Sequence, residues 1–338
     1  MSAVLLGLIV ALALVMAYVN GFHDASNAVS TSITTRTLQE STALTMAALL
    51  NVLGTLLGAG LIALTTEWAV SMLGLQTLLE ATAGHGELLG AALVAVLLTT
   101  IFWDLTTWWF GMPTSTWHAF LAALVGASLV IASAADWSRL GWVLLVSVVG
   151  PVLSAAFAFV LMHLVLRLGR AEMLRAGQIR FAQTISAGAV ATGHGMNDSR
   201  IPLAVVVISG ASAGVPGVTS LSMVLAIAVA VGAGTLMGGH RLIRTLGRRL
   251  TDLTAAQGLA AETSSAASMT LGMLGLEVPM STSQSLASSV VGAGLARGVR
   301  HIRWGVAREV IIAWLITPPV CALLGAALAA VAATAVSA

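Results

Sequence analysis

The sequence predicts an all-α membrane protein with many transmembrane segments. Of its 338 residues, 58% are hydrophobic and only 8% are charged, whereas a soluble domain carries about 25% charged residues. Apolar runs as long as one transmembrane helix requires, about 20 residues, recur along the whole chain. Short polar motifs also occur in both halves in the same order. We therefore expect about 10–12 transmembrane elements in two repeats, with helices that break at a shared site.

The distribution of arginine predicts the membrane topology of the chain. All 15 basic residues are arginine, and none lies between Arg36 and Arg139. Three clusters follow at residues 167–180, 241–249 and 297–308, and the positive-inside rule places them in the cytoplasm. The first half then begins outside the cell and the second half begins inside. This is the inverted arrangement of many secondary transporters.

This topology divides the chain into ten hydrophobic segments. Residues 1–170 form the first inverted repeat, residues 171–180 a cytoplasmic linker, and residues 181–338 the second inverted repeat, in the plasma membrane of a prokaryotic cell. A segment that enters and leaves on one side would change the count and leave the inversion intact. The expected segments are residues 3–22, 42–65, 88–110, 114–134 and 141–167, then 182–209, 217–239, 253–276, 279–296 and 306–336.

Each half contains an aspartate motif at the end of an apolar run. Asp24 in the first half corresponds to Asp198 in the second, at an offset of 198 − 24 = 174. A carboxylate inside a membrane is costly, so such residues usually face a cavity and serve function. The alternative is an inert, solvated loop, which the duplication disfavours. We expect the helices to break beside these residues, at Asn20, Gly21, Gly193, Gly195 and Pro202.

Each half also contains a Pro-x-Ser-Thr motif, Pro113 to Thr116 and Pro279 to Thr282, at an offset of 281 − 115 = 166. Proline suits the first turn of a helix, where its missing N–H is not needed, so we expect Ser115, Thr116, Ser281 and Thr282 to lie in the first turn as well. A helix N-terminus with free N–H groups and hydroxyls binds anions. Two such ends would converge on one tetrahedral oxyanion near the midplane. Ordinary N-capping is the alternative interpretation.

Of four further side chains, two have two interpretations each. Asp104, inside the third segment, is either a proton or cation group or an acid paired with a buried hydroxyl. His118 is either a hydrogen-bond partner within the motif or a structural histidine. Glu87 and Glu262 each stand near the start of an apolar segment, as negative charges at helix N-termini do.

Several segments resemble the signatures of the inorganic phosphate transporter (PiT) family. They are residues 20–28 (NGFHDASNA), 106–119 (TTWWFGMPTSTWHA), 193–198 (GHGMND), 237–241 (MGGHR) and 278–283 (VPMSTS). The resemblance extends from about residue 17 to residue 319. It implies symport of inorganic phosphate with Na⁺ or H⁺, an inverted repeat and a homodimer in the lipid bilayer. It implies no cofactor other than Na⁺ as a coupling ion, and no nucleic-acid partner.

Together, the motifs and the resemblance give the predicted site. The substrate-binding residues are Thr114, Ser115, Thr116, Ser281, Thr282, Ser283, Asp24, Asp198 and Arg200. The coupling-ion residues are His23, Asp24, Asn27, Asn197, Asp198 and Asp104. If the ion is Na⁺, its ligands are Asp24, Asn27, Asn197 and Asp198.

Two other functions are weighed against phosphate symport. A sulfate permease of the same fold is the main alternative, because Arg200 would suit either oxyanion. Phosphate at neutral pH carries a proton that an aspartate can accept and sulfate does not, which favours phosphate. An intramembrane hydrolase would need a base beside its nucleophile. Ser115 and His118 lie three residues apart, but the second repeat has Gln284 in place of His118, so we expect no enzyme.

Overall fold

The computed structural model describes residues 1–61, 64–215, 220–272 and 280–337. These residues are almost entirely helical, which confirms the predicted fold class. The helices are α1 (Ala3–Thr34), α2 (Glu40–Leu61), α3 (Thr66–Leu73), α4 (Gln76–Ala81), α5 (Gly86–Phe110), α6 (Thr116–Ile131), α7 (Trp137–Arg170), α8 (Ala176–Asp198), α9 (Arg200–Ala213), α10 (Leu221–Met237), α11 (His240–Arg244), α12 (Ala255–Leu271), α13 (Thr282–Leu295) and α14 (Trp304–Ser337). A π-helical turn, Thr245–Arg249, follows α11.

The long helices are apolar enough to cross a membrane. By length and composition, the described residues contain five such helices: α1, α2, α5, α7 and α14. A sixth results if α10 is counted together with residues 240–249, which are bent away from it by 56°. The helices α6 and α13 have only 16 and 14 residues. Neither reaches the length of about 20 residues that a crossing requires, so the full spans predicted at 114–134 and 279–296 are wrong.

The two halves of the chain are interleaved. α6 of the first half packs along α14, and the corresponding helix of the second half, α13, packs along α7. In the same way α1 packs against α10, and α2 packs against α8. Each of these contacts therefore recurs with the partners exchanged, as a two-fold relation between the halves would produce. The inverted orientation in the bilayer and the repeat boundaries stay predictions.

Glycines allow these helices to approach closely. A Cβ atom on Gly126 of α6 would lie 1.9 Å from the carbonyl oxygen of Ala322 in α14. At the equivalent place, a Cβ atom on Gly292 of α13 would lie 2.0 Å from the carbonyl oxygen of Ala155 in α7. Both distances are far below van der Waals contact, so only glycine fits. Small residues at helix interfaces are typical of packing inside membranes.

The first predicted helix break is absent. α1 continues through Asn20 and Gly21 to Thr34 without interruption. A Cβ atom on Gly21 would lie 2.1 Å from the carbonyl oxygen of Val231 in α10. Gly21 therefore permits close packing between α1 and α10, and its presence does not end the helix.

The second predicted break exists at a different residue. The segment predicted at 182–209 is divided at Ser199, directly after Asp198, into α8 and α9. Gly193 and Gly195 lie inside α8, and Pro202 lies in the first turn of α9, where its missing N–H costs little. The asymmetry between a continuous α1 and a divided α8–α9 was not predicted.

Candidate functional site

Asp24 and Asp198 lie together in the centre of the protein. The amide nitrogen of Asn20 is 3.1 Å from a carboxylate oxygen of each aspartate, and also 3.1 Å from the hydroxyl of Thr116. The imidazole Nε2 of His194 lies 3.2 Å from the same oxygen of Asp198 and 3.8 Å from that of Asp24. The two aspartate motifs, 174 residues apart in sequence, thus form a single buried cluster.

Each aspartate accepts a hydrogen bond from one of the two half-length helices, α6 and α13, and in each case the helix belongs to the opposite half of the chain. Ser283, in the first turn of α13, donates to Oδ1 of Asp24 at 2.9 Å. Trp117, in the first turn of α6, donates its indole N–H to Oδ1 of Asp198 at 3.2 Å. The two donors occupy equivalent positions, because 283 − 117 = 166. Each half of the chain thus supplies a donor to the aspartate of the other half.

Amide groups complete the binding of each carboxylate. Asn27 donates to Oδ1 of Asp24 at 2.7 Å and also contacts Ser283 at 2.8 Å. Asn197 donates to Oδ1 of Asp198 at 2.5 Å and to the carbonyl oxygen of Met280, just before α13, at 2.9 Å. These predicted residues therefore lie in the cluster, with both amides turned towards acceptors.

Two histidines connect the carboxylates to neighbouring helices. Nδ1 of His23 lies 3.0 Å from Asp24, and its Nε2 lies 3.1 Å from the hydroxyl of Thr107 in α5. Thr107 in turn accepts a hydrogen bond from Thr114 at 2.9 Å. On the other side, Nδ1 of His194 lies 2.9 Å from the amide oxygen of Asn51 in α2. Both imidazoles are fully buried, so neither reaches solvent.

Ser115 and Ser281 are the N-cap residues of α6 and α13. Each hydroxyl accepts the backbone N–H three residues later, His118 at 3.3 Å and Gln284 at 3.2 Å. The expectation that these serines lie within the first turn is therefore wrong by one position. Pro113 lies two residues before the cap, outside the first turn, and Pro279 lies outside the described residues. The ordinary capping interpretation thus applies to both serines, although each keeps its own hydroxyl hydrogen for a ligand.

The first turns of α6 and α13 still provide groups suited to an anion. The first N–H groups of a helix have no partner within it, and the N-terminal end of the helix dipole favours negative charge. The hydroxyl of Thr282 is buried and has no hydrogen-bond partner. Thr116 donates to Asp104 at 2.9 Å. The ends of both half-length helices therefore reach the aspartate cluster, as a shared oxyanion site requires.

Oxygen atoms that fit a hard cation are present in the same cluster. Ligand atoms of Asp24, His194 and Asp198 all lie within 4.8 Å of one another. The amide oxygens of Asn20 and Asn27 are buried without hydrogen-bond partners. Two carboxylates and two free amide oxygens form the type of donor set that hard cations prefer. Asn20 would thus join the predicted Na⁺ ligands.

Arg200 and His118 lie at the border of the site. Arg200 begins α9 directly after the Asp198 motif and is half-buried. His118 contributes its backbone N–H to the cap of α6, so the link between His118 and Ser115 is a helix cap and not a base–nucleophile pair.

Another buried carboxylate, that of Glu262 in α12, has its hydrogen-bond partners on α1 and α8. Glu262 accepts hydrogen bonds from Ser32 at 2.8 Å, from Ser186 at 2.7 Å and from Thr31. It is the eighth residue of α12 and fully buried, so its assignment as a charge at a helix N-terminus is wrong. The first-turn assignment of Glu87 in α5 is confirmed.

Sequence reasoning missed His194, Trp117 and Asn20 as site residues. The repeat offsets relate all three, but only Trp117 pairs with a residue that was predicted. Position 20 + 174 = 194 pairs Asn20 with His194, and position 283 − 166 = 117 pairs Ser283 with Trp117. The residue types differ within each pair, which is why comparison of identical letters did not reveal them.

Comparison with known proteins agrees with this arrangement. The sequence profile of the phosphate transporter family matches residues 20–179 and 169–325. The chain belongs to this family. It is therefore a multi-pass cell-membrane transporter and not an enzyme.

Individual relatives cover nearly the whole chain. A probable low-affinity inorganic phosphate transporter of Bacillus subtilis is 30% identical over 328 residues, which is 94% of each protein. A protein of the same description from Mycobacterium bovis is 35% identical over 331 residues, 95% of this chain and 76% of the relative. The solved structure of a sodium-dependent phosphate transporter superposes with a TM-score of 0.79 over 98% of this chain and 99% of that one, at 20% identity. That likeness shows the shared fold.

Proposed function

We propose that this phosphate transporter family member carries inorganic phosphate by symport with Na⁺ or H⁺. The crossed hydrogen bonds of the two aspartates support this proposal most strongly. They bring two carboxylates, suited to cations, into contact with two helix N-termini, suited to an oxyanion. Cation and anion then stabilise each other in one buried site, which couples their movement.

The residues divide between the two ligands by charge. Asp24 and Asp198, with Asn27 and Asn197, hold the coupling cation. The first turns of α6 and α13, with Thr114, Thr116, Thr282 and Ser283, face the oxyanion, and Ser115 and Ser281 donate their remaining hydroxyl hydrogens. Arg200, beside the cluster, attracts the anion. His23 and His194 keep the carboxylates oriented.

Uptake of labelled phosphate into proteoliposomes tests this function. We expect accumulation that depends on an inward Na⁺ or proton gradient and disappears when the gradient is collapsed. Unlabelled phosphate should compete, and sulfate should compete at least tenfold less well. Equal or better competition by sulfate would instead identify a sulfate permease of the same fold.

The homodimer implied by the family resemblance is also a proposal. Both α7 and α14 expose many large apolar residues, for example Val152 and Leu323. Such surfaces are suited to lipid or to a second copy. The mass of the purified protein in detergent, after subtraction of bound detergent, distinguishes a dimer from a monomer.

A further inference from the structure

Asp104 is a third carboxylate beside the central site. Its side chain is fully buried in α5. One oxygen accepts the hydroxyl hydrogen of Thr116 at 2.9 Å, and the other oxygen, Oδ1, is buried without a hydrogen-bond partner. An ionised carboxylate can accept about four hydrogen bonds, and leaving it buried with one is costly. Asp104 therefore needs a positive charge or a proton.

The charges around Asp104 do not supply a fixed cation. In the described part of the chain, the salt bridges do not include Asp104. Arg241 of α11 is occupied elsewhere, stacked 4.3 Å from the ring of Trp109 and bonded to the backbone oxygen of that residue. The other titratable groups on the elements packed against α5 are Tyr18, His23 and Asp24 of α1, His118 of α6, Arg200 of α9, His240 and Arg244 of α11, and Arg308, Glu309 and Cys321 of α14. Asp198 of α8 is also close enough to act on Asp104 electrostatically.

The surroundings of Asp104 favour a proton over a metal cation. A metal ion such as Na⁺ needs several oxygen ligands at once, whereas a proton needs a single oxygen. Thr116 is the side chain that hydrogen-bonds to this carboxylate. Nearby, Trp103, Ala119 and Cys321 belong to a buried apolar cluster. This apolar environment favours an uncharged carboxylic acid over an ionised carboxylate.

Thr116 connects Asp104 to the anion site. The threonine hydroxyl has one hydrogen to donate and two lone pairs. One lone pair accepts from Asn20, and the hydrogen goes to Asp104. When Asp104 carries a proton, it can donate that proton to the second lone pair of Thr116. The hydroxyl hydrogen of Thr116 is then free to bind a phosphate oxygen at the N-terminus of α6.

We propose that Asp104 binds one proton that moves with each phosphate, in addition to any cation held by Asp24 and Asp198. The proton joins a carboxylate oxygen on the uptake side and leaves the same oxygen on the release side, so no other reactant is needed. Protonation reverses the direction of the hydrogen bond between Asp104 and Thr116, so that Asp104 becomes the donor. The hydroxyl hydrogen of Thr116 then strengthens the anion site. This inference rests on the proposed phosphate symport and specifies one of its coupling ions.

The number of protons moved per phosphate tests the inference. In proteoliposomes, the electrical potential that stops net phosphate flux is measured at several fixed pH gradients, for the wild type and for Asp104→Asn. We expect the variant to move one proton fewer per phosphate on the flux that remains, and its half-saturating phosphate concentration to keep only the pH dependence that comes from the protonation of phosphate itself. Asp104→Glu should restore both. The exposed Asp252→Asn is the matched control and should behave as the wild type.

Two outcomes overturn the inference. One is an unchanged proton-to-phosphate ratio in Asp104→Asn. The other applies even if that variant does not fold: no infrared band of a newly protonated carboxylic acid when phosphate is added to the wild-type protein. If the wild type takes up no phosphate at all, the proposed function itself fails, which is a different result.

Discussion

Asp24 and Asp198 share donors, so each carboxylate depends on residues from both halves. We expect Asp24→Asn and Asp198→Asn each to abolish gradient-driven uptake, because the amide lacks the negative charge that binds the coupling cation. The two side chains have nearly the same shape, so the proteins should still insert and fold. Labelled phosphate uptake, with size-exclusion profiles as a test of folding, measures both effects. Near-normal accumulation by both variants would rule out the proposed site, and Asp252→Asn is again the neutral control.

Trp117 is expected to support the site through its indole N–H. Trp117→Phe keeps most of the aromatic ring and removes the donor to Asp198. A hydrogen bond to a charged group contributes about 1.5–3 kcal/mol, which corresponds to about tenfold or more in an equilibrium constant. The half-saturating concentration of phosphate or coupling ion should therefore rise by about that factor.

The exposed Trp142 provides the control for this substitution. Trp142→Phe should leave uptake unchanged in the same assay. Equal half-saturating concentrations in Trp117→Phe and the wild type would show that the bond to Asp198 does not affect binding.

At the scale of residues, the sequence predicted the groups that have the same residue type at equivalent positions of both halves. Asp24 and Asp198 could be found because both halves keep an aspartate. Trp117 and His194 could not, because their equivalents are Ser283 and Asn20 and the chemistry differs. Hydrogen-bond partners 84 to 259 residues apart in the chain depend on how helices rotate and pack, and spacing along the sequence does not contain that information.

At the scale of elements, close helix packing depends on two equivalent glycines. Gly126→Ala and Gly292→Ala each place a methyl group about 2 Å from a backbone oxygen, so α6 must move from α14, or α13 from α7. We expect each substitution to lower the melting temperature of the purified protein. Gly7, whose Cβ would meet nothing within 4 Å, gives the control. Gly7→Ala should leave the melting temperature the same or slightly higher, since alanine favours helix by roughly 1 kcal/mol.

This comparison between glycines has a clear contrary result. If Gly126→Ala and Gly292→Ala melt at the same temperature as Gly7→Ala, the close approach of these helices does not stabilise the protein.

The half-length helices were the elements that the sequence predicted least well. Apolar composition marks a helix as membrane-embedded, but its end is set by where the chain turns to bring a cap such as Ser115 or Ser281 to the site.

At the scale of the whole molecule, the halves fold around each other. α6 and α13 each lie against a long helix from the opposite half, and the central side chains are almost completely buried. If phosphate binds in this cluster as proposed, it reaches these side chains only when groups of helices move relative to each other. The order of the motifs predicted the duplication, whereas the exchange of partners between halves follows from packing surfaces that only the folded chain brings together.

The inverted orientation predicted for the two halves leads to the last prediction. The single cysteine, Cys321, is fully buried, so cysteines introduced at exposed positions can be labelled selectively. Ala83 lies in the acidic segment between α4 and α5, and Ala171 lies in the linker after α7; both are exposed. Ala83→Cys should react with a membrane-impermeant maleimide in intact cells. Ala171→Cys should react only after the membrane is opened, because the positive-inside rule places its arginine-rich surroundings in the cytoplasm. Labelling of both positions from outside would contradict this membrane topology. Labelling of Ala171→Cys alone would show that the chain has the opposite orientation in the membrane.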